Sequence, residues 1–233
     1  MEWMSIDEMT AQVPLPEGYR FALPQRAEIP GLVCAIKAWL PDISVGGASC
    51  YVSNGFFTGK VFLAGEPEKD VLVVLIKKDQ QLAGVFSCER DLETLALYAR
   101  LSGVAPAHRG ARLGQTNVVL VEAIGRALGM GMIYGMATLK IPHVQMAFEN
   151  LGWQLIGITP GYDRELVAPG VVKRVYEAVY AKVLVADAGL LRPQPQNMTP
   201  KTRALFDSLF PGALTAAASC SQALSLRALA RTA

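Results

Sequence analysis

Most features by which a sequence declares its class outright are missing from this chain. No stretch of the 233 residues approaches the roughly 20 consecutive apolar positions that a membrane span needs. The longest apolar tract, near residues 118–121, is broken by Glu122 and Arg126. The four cysteines (Cys34, Cys50, Cys88 and Cys220) are too widely spaced for a zinc site or a compact disulfide framework. They read as reduced thiols of a cytoplasmic protein, and no metal is expected. The net charge is only +2, so no overall field argues for a nucleic acid or an anionic membrane as partner. The opening MEWMSIDEM is acidic and carries no apolar run, so no secretory signal is expected there. No internal repeat is present, and no long low-complexity tract.

What is present is a large hydrophobic fraction, 52% of residues, enough for one substantial core. Residues 1–18 read as an irregular arm, punctuated by Pro14, Pro16 and Gly18. Tyr19 to Leu23 alternates as a strand, and residues 28–40 place Ile29, Leu32, Val33, Ile36 and Leu40 at helical spacing. The stretch 46–59, rich in Gly, Ser and aromatics, is open between a short helix and a loop. A β-branched run over 71–77, a turn at Asp79-Gln80 and a return over 81–87 predict a hairpin. Residues 94–104 predict a third strand, with Leu95, Leu97, Ala99 and Leu101 on one face and Tyr98, Arg100 and Ser102 on the other. A helix over 113–128, a strand over 132–139, a helix over 142–151 and strands over 153–158 and 171–185 follow. This order predicts a mixed α/β sheet with helices on its faces. Residues 187–200, with three prolines, form a linker to a short helix over 201–209 and an Ala/Leu/Ser-rich helix over 213–233.

One loop carries the chemistry. From Thr94 to Val121 there is no Asp or Glu, yet Arg100, His108, Arg109 and Arg112 all fall there. A strand feeds this glycine-containing loop, which opens into a helix. The stretch Arg109-Gly110-Ala111-Arg112 offers no Ser, Thr, Asp or Asn cap, so the first N–H groups of the helix lack an internal partner. An anion would satisfy them, favoured by the helix dipole and the arginines. Small residues at Gly110, Ala111 and Gly114 would let a phosphate approach. From these residues alone a pyrophosphate cradle and a tight, water-capped turn remain equal alternatives. No Gly-Lys-Ser/Thr follows, which excludes a P-loop. Gly129-Met130-Gly131 follows a helix instead of preceding one, so it reads as a helix stop and not as a dinucleotide fingerprint.

The run from Val104 to Gly114 resembles the acyl-CoA motif of the GCN5-related N-acetyltransferase (GNAT) superfamily, Arg/Gln-x-x-Gly-x-Gly/Ala at the start of a helix. Arg109 and Gly114 match its ends, and Arg112 replaces its middle glycine. The family's second motif, Tyr-Glu-x-x-Gly-Phe, reads here Phe148-Glu149-Asn150-Leu151-Gly152-Trp153. The resemblance covers roughly residues 19–186, leaving 1–18 as an arm and 187–233 as a linker and helical tail. It implies a mixed, mostly antiparallel sheet of six to seven strands with helices on both faces and a splay between strands 94–104 and 132–139.

The resemblance also implies an enzyme that passes an acetyl or other acyl group from acyl-CoA to the amine of a small molecule or amino acid, by direct attack. The backbone of Ser102, Gly103, Val104 and Ala105 would hold the acyl carbonyl and pantetheine amides. The N–H groups of Arg109, Gly110, Ala111, Arg112, Leu113 and Gly114 would hold the pyrophosphate. Phe148, counted by the resemblance among the cofactor-binding residues, stands where relatives place a tyrosine that protonates the departing thiolate, and it cannot donate a proton. For proton transfer the candidates are Tyr98, on the polar face of its strand, and His143, in the first turn of its helix; a half-buried sheet tyrosine and a surface histidine are the bland alternatives. Arg100, Tyr51 and Phe56 are candidates for the acceptor side, Arg100 through a substrate carboxylate. Two other functions stay open: a non-catalytic acyl-CoA-binding or regulatory domain, favoured by the lost tyrosine, and a transferase for longer acyl chains. A homodimer is expected from the resemblance.

Overall fold

The β-branched run becomes the centre of the molecule. In the computed structural model, which describes residues 1–213, β3 (Val71–Lys78) has its first six residues buried. Leu72, Val74 and Ile76 face one hydrophobic cluster, while Val71, Val73 and Leu75 face another. A strand apolar on both faces must be covered on both, and it is. On one side lie α1 (Ile6–Gln12), α4 (Leu113–Ala127) and α5 (His143–Asn150); on the other lie α2 (Ile29–Trp39) and α3 (Asn54–Lys60).

The remaining strands are β1 (Tyr19–Ala22), β2 (Val61–Phe62), β4 (Gln81–Asp91), β5 (Ala96–Val104), β6 (Met132–Thr138), β7 (Gln154–Ala168) and β8 (Val171–Val183). The eight form one sheet in the order β1-β3-β4-β5-β6-β8-β7, with β2 also pairing β3. Pairing is antiparallel except for β5 with β6 and β2 with β3. The sheet is therefore mixed and mostly antiparallel, as expected, with one strand more than the six to seven predicted. The extra one, β2, is two residues long and has no periodicity to detect.

Chain contacts divide the protein into two units, Met1–Leu184 and a second beginning at Val185. The second contains α6 (Pro200–Leu209), N-capped by the Thr199 hydroxyl. Apart from residue 213, the helix expected over 213–233 lies outside the described residues, as does Cys220. No helix among the described residues is long and apolar enough to cross a membrane.

Three local expectations change. The supposed irregular arm holds α1, started by a capping box between Ser5 and Glu8. Its apolar residues Trp3, Met4, Met9 and Val13 are buried in the first cluster. The Ser-x-x-Glu signal stands in the sequence; the flanking prolines masked it. Second, the stretch 46–59 becomes a 3-10 helix over Gly47–Val52 followed by α3.

Third, the odd residues of the strand after Thr94 do not share a face. Leu95 is not in the strand but has φ 51°, in the turn before it. Further on, Ser87 pairs Leu101 while Cys88 pairs Ala99, leaving Arg100 as an extra residue in β5. A bulge of this kind reverses the alternation beyond it. Leu97 and Ala99 accordingly pack in the first cluster, and Leu101 in the second.

The bulge also opens the sheet. β5 and β6 pair in parallel only from Ala96 with Met132 to Ala99 with Gly135. β5 then runs on to Val104, paired only to β4, and β6 to Thr138, paired only to β8. The splay expected between these strands is present, and it starts at the bulge.

Candidate active site

The splay has a basic end and an acidic end. At the basic end, β5 leaves the sheet through Ala105, whose N–H still bonds Ala83 O at 2.9 Å. A 3-10 turn over Pro106–His108 follows, held to β1 by the Tyr19 hydroxyl at 3.0 Å from His108 Nδ1. Gly110 then takes φ +90° and Arg112 the left-handed conformation, φ 60° and ψ 16°. Arg112 is the N-cap of α4, and its side chain bonds no backbone N–H. The family motif has its middle glycine at this position. Gly tolerates φ > 0 freely, whereas an L side chain there costs roughly 1–2 kcal/mol.

Those two turns leave main-chain donors without acceptors. Among the described residues, the N–H groups of Gly110, Arg112, Leu113 and Gly114 donate to nothing, while those of Arg109 and Ala111 make long bonds of 3.3 and 3.4 Å within the turn. A Cβ added at Gly110 or Gly114 would meet no atom within 4 Å, so the space over the loop is open. The side chains of Arg109 and Arg112 are exposed and enter no hydrogen bond or ion pair among the described residues. An open surface with four unused donors at a helix N-terminus and two unpaired guanidiniums fits a diphosphate. Behind it, the buried Asn117 of α4 donates to Ser102 Oγ at 2.8 Å, which ties the splayed end of β5 to the helix.

The acidic end lies on the opposite face of the sheet. Ala178 and Tyr180 of β8 pack in the first cluster, so Glu177 between Tyr176 and Ala178 points to the other face. Leu97 and Ala99 do the same for Tyr98, and Ile133 for Tyr134. Tyr98 and Tyr134 stack there with centroids 4.9 Å apart. Glu177 pairs Thr138 at the end of β6 and Thr159 on β7, which places it beside the open part of the splay. Around it, Lys140 joins Asp42 at 2.5 Å and also Glu165, while Asp163 accepts from Gly47 N at 2.8 Å. Burial, helped by the charges of Asp163 and Glu165, pushes the Glu177 carboxyl up to about 7.

The candidates named from sequence divide between these ends. Ser102, Gly103, Val104 and Ala105 and the loop 109–114 all lie along the splayed strand and its turn. Phe148 does not border solvent: it is buried against Trp153, centroids 4.5 Å apart, and Tyr180, with its Cζ beside Gly135. Tyr51 is also core. It is fully buried, and its hydroxyl lies 2.6 Å from Ser87 Oγ. Phe56 is half-buried at 5.0 Å from it.

Arg100 is not free for a substrate carboxylate. It pairs Glu89 at 2.6 Å and lies over the Tyr51 and Phe56 rings, on the face it shares with Tyr98. Burial, with smaller contributions from Tyr162 and Glu177, raises the Tyr98 hydroxyl well above the ordinary tyrosine range. It stays protonated at neutral pH and cannot act as a base, although it can donate a hydrogen bond. His143 is exposed at the start of α5 and bonds nothing among the described residues. Sequence reading missed Glu177 altogether. An acidic residue in an alternating strand looks like a solvated one, and only the register of β8 against β6 and β7 shows what it faces.

No family model and no curated protein matches the chain. Solved structures do. A spermidine N-acetyltransferase of Vibrio cholerae has TM-score 0.57 at 10% identity, over 72% of this chain and 95% of that one. The ribosomal-protein-S18-alanine N-acetyltransferase of Escherichia coli has TM-score 0.55 at 12% identity, over 74% and 99%. A ribosomal L7/L12 alpha-N-protein acetyltransferase in complex with coenzyme A has TM-score 0.55 at 13% identity, over 75% and 99%. The chain has the fold of the GCN5-related N-acetyltransferases. Proteins of that fold act on varied acceptors, so the fold by itself names none.

Proposed function

We propose that the protein transfers an acyl group from acyl-CoA to the amine of a small acceptor. The observation that carries this reading is the turn at 109–114, where four backbone N–H groups and two arginines are left without partners at the end of a splayed strand. Structural neighbours that are acetyltransferases, one of them bound to coenzyme A, support it. The donor's diphosphate would rest on Gly110, Arg112, Leu113 and Gly114, with its thioester arm along β5 from Ser102 to Val104. The unpaired edge of β5 there offers main-chain groups that polarise the acyl carbonyl. The acceptor would enter from the face of Tyr98, Tyr134 and Glu177. Carboxylates concentrated there favour a cationic acceptor on approach.

Calorimetry with acetyl-CoA, combined with CoA-thiol release over a panel of amines and amino acids, tests the proposal. Binding in the micromolar range and release that depends on an amine are the expected results; a protein that binds no CoA thioester would end it. Buried Phe148, at the place of the family's proton donor, favours a second reading, an acyl-CoA-binding domain without turnover. Tight binding with no release by any amine would support that reading instead. Rates compared across acetyl-CoA and longer thioesters define the acyl chain.

A further inference from the structure

We infer that Glu177 is the group that takes the proton from the acceptor amine. The assignment rests on the acyltransfer reading and adds to it a proton acceptor that the protonated Tyr98 cannot supply. Its carboxylate is half-buried and forms no hydrogen bond or ion pair among the described residues, and Glu177 lies on β8 between Thr138 and Thr159, across β6 from the open part of the splay.

The charges nearest Glu177 are already engaged. From β5, Arg100 is bound to Glu89. After β6, Lys140 is bound to Asp42 and Glu165. From β7, Asp163 accepts from the backbone of Gly47 and Arg164. The remaining titratable groups there are the hydroxyls of Tyr98, Tyr134 and Tyr162, of which the first two are held protonated, chiefly by burial. Glu177 is a carboxylate without hydrogen-bond donor or cation, set among engaged acids and protonated phenols. Its affinity for a proton, raised to about 7, suits exchange with an ammonium group near neutral pH.

An acceptor arrives as an ammonium ion, and Glu177 accepts one of its protons, leaving a neutral amine. Nitrogen bonds the thioester carbonyl carbon, the C–S bond breaks, and the second nitrogen proton passes to the departing sulfur. Glu177 returns its proton to water. The products are an amide, CoA thiol and one released proton.

The test compares wild type, Glu177→Gln and Glu177→Asp with acetyl-CoA as donor, and both primary alkylamines and hydroxylamine as acceptors. Hydroxylamine is largely neutral at pH 7 and needs no prior deprotonation. With alkylamines, Glu177→Gln should lower kcat by about 100-fold or more and remove the wild-type inflection near pH 7. Glu177→Asp should be slower yet keep an inflection, hydroxylamine turnover should change far less, and acetyl-CoA affinity should be unchanged. Wild-type rate and inflection in Glu177→Gln would overturn the assignment while leaving acyl transfer intact. A 13C titration of the Glu177 carboxyl needs no acceptor, and an ordinary glutamate value there would overturn it equally. Failure of wild type to bind acetyl-CoA would instead sink the reading beneath it.

Discussion

The two ends of the splay gather charge in opposite ways. The basic end is local: Arg109 and Arg112, three residues apart, are exposed, unpaired and joined by backbone N–H groups of the same turn. The acidic end is assembled from Asp42, Asp163, Glu165 and Glu177, drawn from a 3-10 turn and two strands, and most of it is already bound to protein groups. An exposed cluster left unneutralised awaits a ligand of opposite charge. A half-buried set of carboxylates that share one lysine instead raises the proton affinity of the member with no hydrogen-bond donor. The difference teaches that the basic end is left open to an anion, while the acidic end shifts the proton affinity of one carboxylate.

The contrast can be broken at several points. The largest effect should come from reversing both cations of the loop. Arg109→Glu with Arg112→Glu removes two charge-assisted contacts and adds repulsion, weakening CoA binding by at least about 100-fold in calorimetry. Unchanged affinity would leave the basic end without a purpose.

Next comes Gly135, where the two strands part. A Cβ there would lie 2.9 Å from Phe148 Cζ and 3.3 Å from the Ala99 Cβ. Gly135→Ala should therefore cost about 1–3 kcal/mol in urea unfolding. A variant as stable as wild type would show that the strands are not pinched at this point.

The acidic end has its own stability test. Glu177 has its folded pKa raised from 4.5 to about 7, so the folded state favours the protonated form. That contribution is fully present below the unfolded value and is lost as pH rises through about 7. Glu177→Gln should thus melt higher than wild type at pH 8 and at the same temperature at pH 4. An offset that does not vary with pH would mean the carboxyl is not perturbed.

The smallest effect is expected at Arg112→Gly. Relief of the left-handed backbone is opposed by the greater freedom of glycine in the unfolded chain, for a net gain of about 1 kcal/mol or less. CoA affinity should fall less than on charge reversal. A lower melting temperature would show that the arginine side chain stabilises the turn.

Much of this could be read before any coordinates. The hairpin at Asp79-Gln80 and the helices α2, α4 and α5 came from periodicity, because each buries one stripe or face against the sheet. The loop 109–114 came from a missing cap and missing acids, features confined to a few neighbouring residues. Tyr51 and Phe148 were misplaced for the opposite reason. An aromatic side chain reads alike whether it lines a cleft or fills a core, and both of these fill cores.

By itself, then, the sequence determined which segments form strands and helices and where a run of main-chain donors goes unused, since both depend on residues within a few positions of each other. Tertiary structure alone decided that an extra residue at Arg100 turns the end of β5 over where the sheet opens, that Arg100 lies against Glu89, and that Glu177 stands near the opening. Those outcomes follow from register between strands far apart in the chain. A shift of one residue in that register moves a side chain to the other face of the sheet.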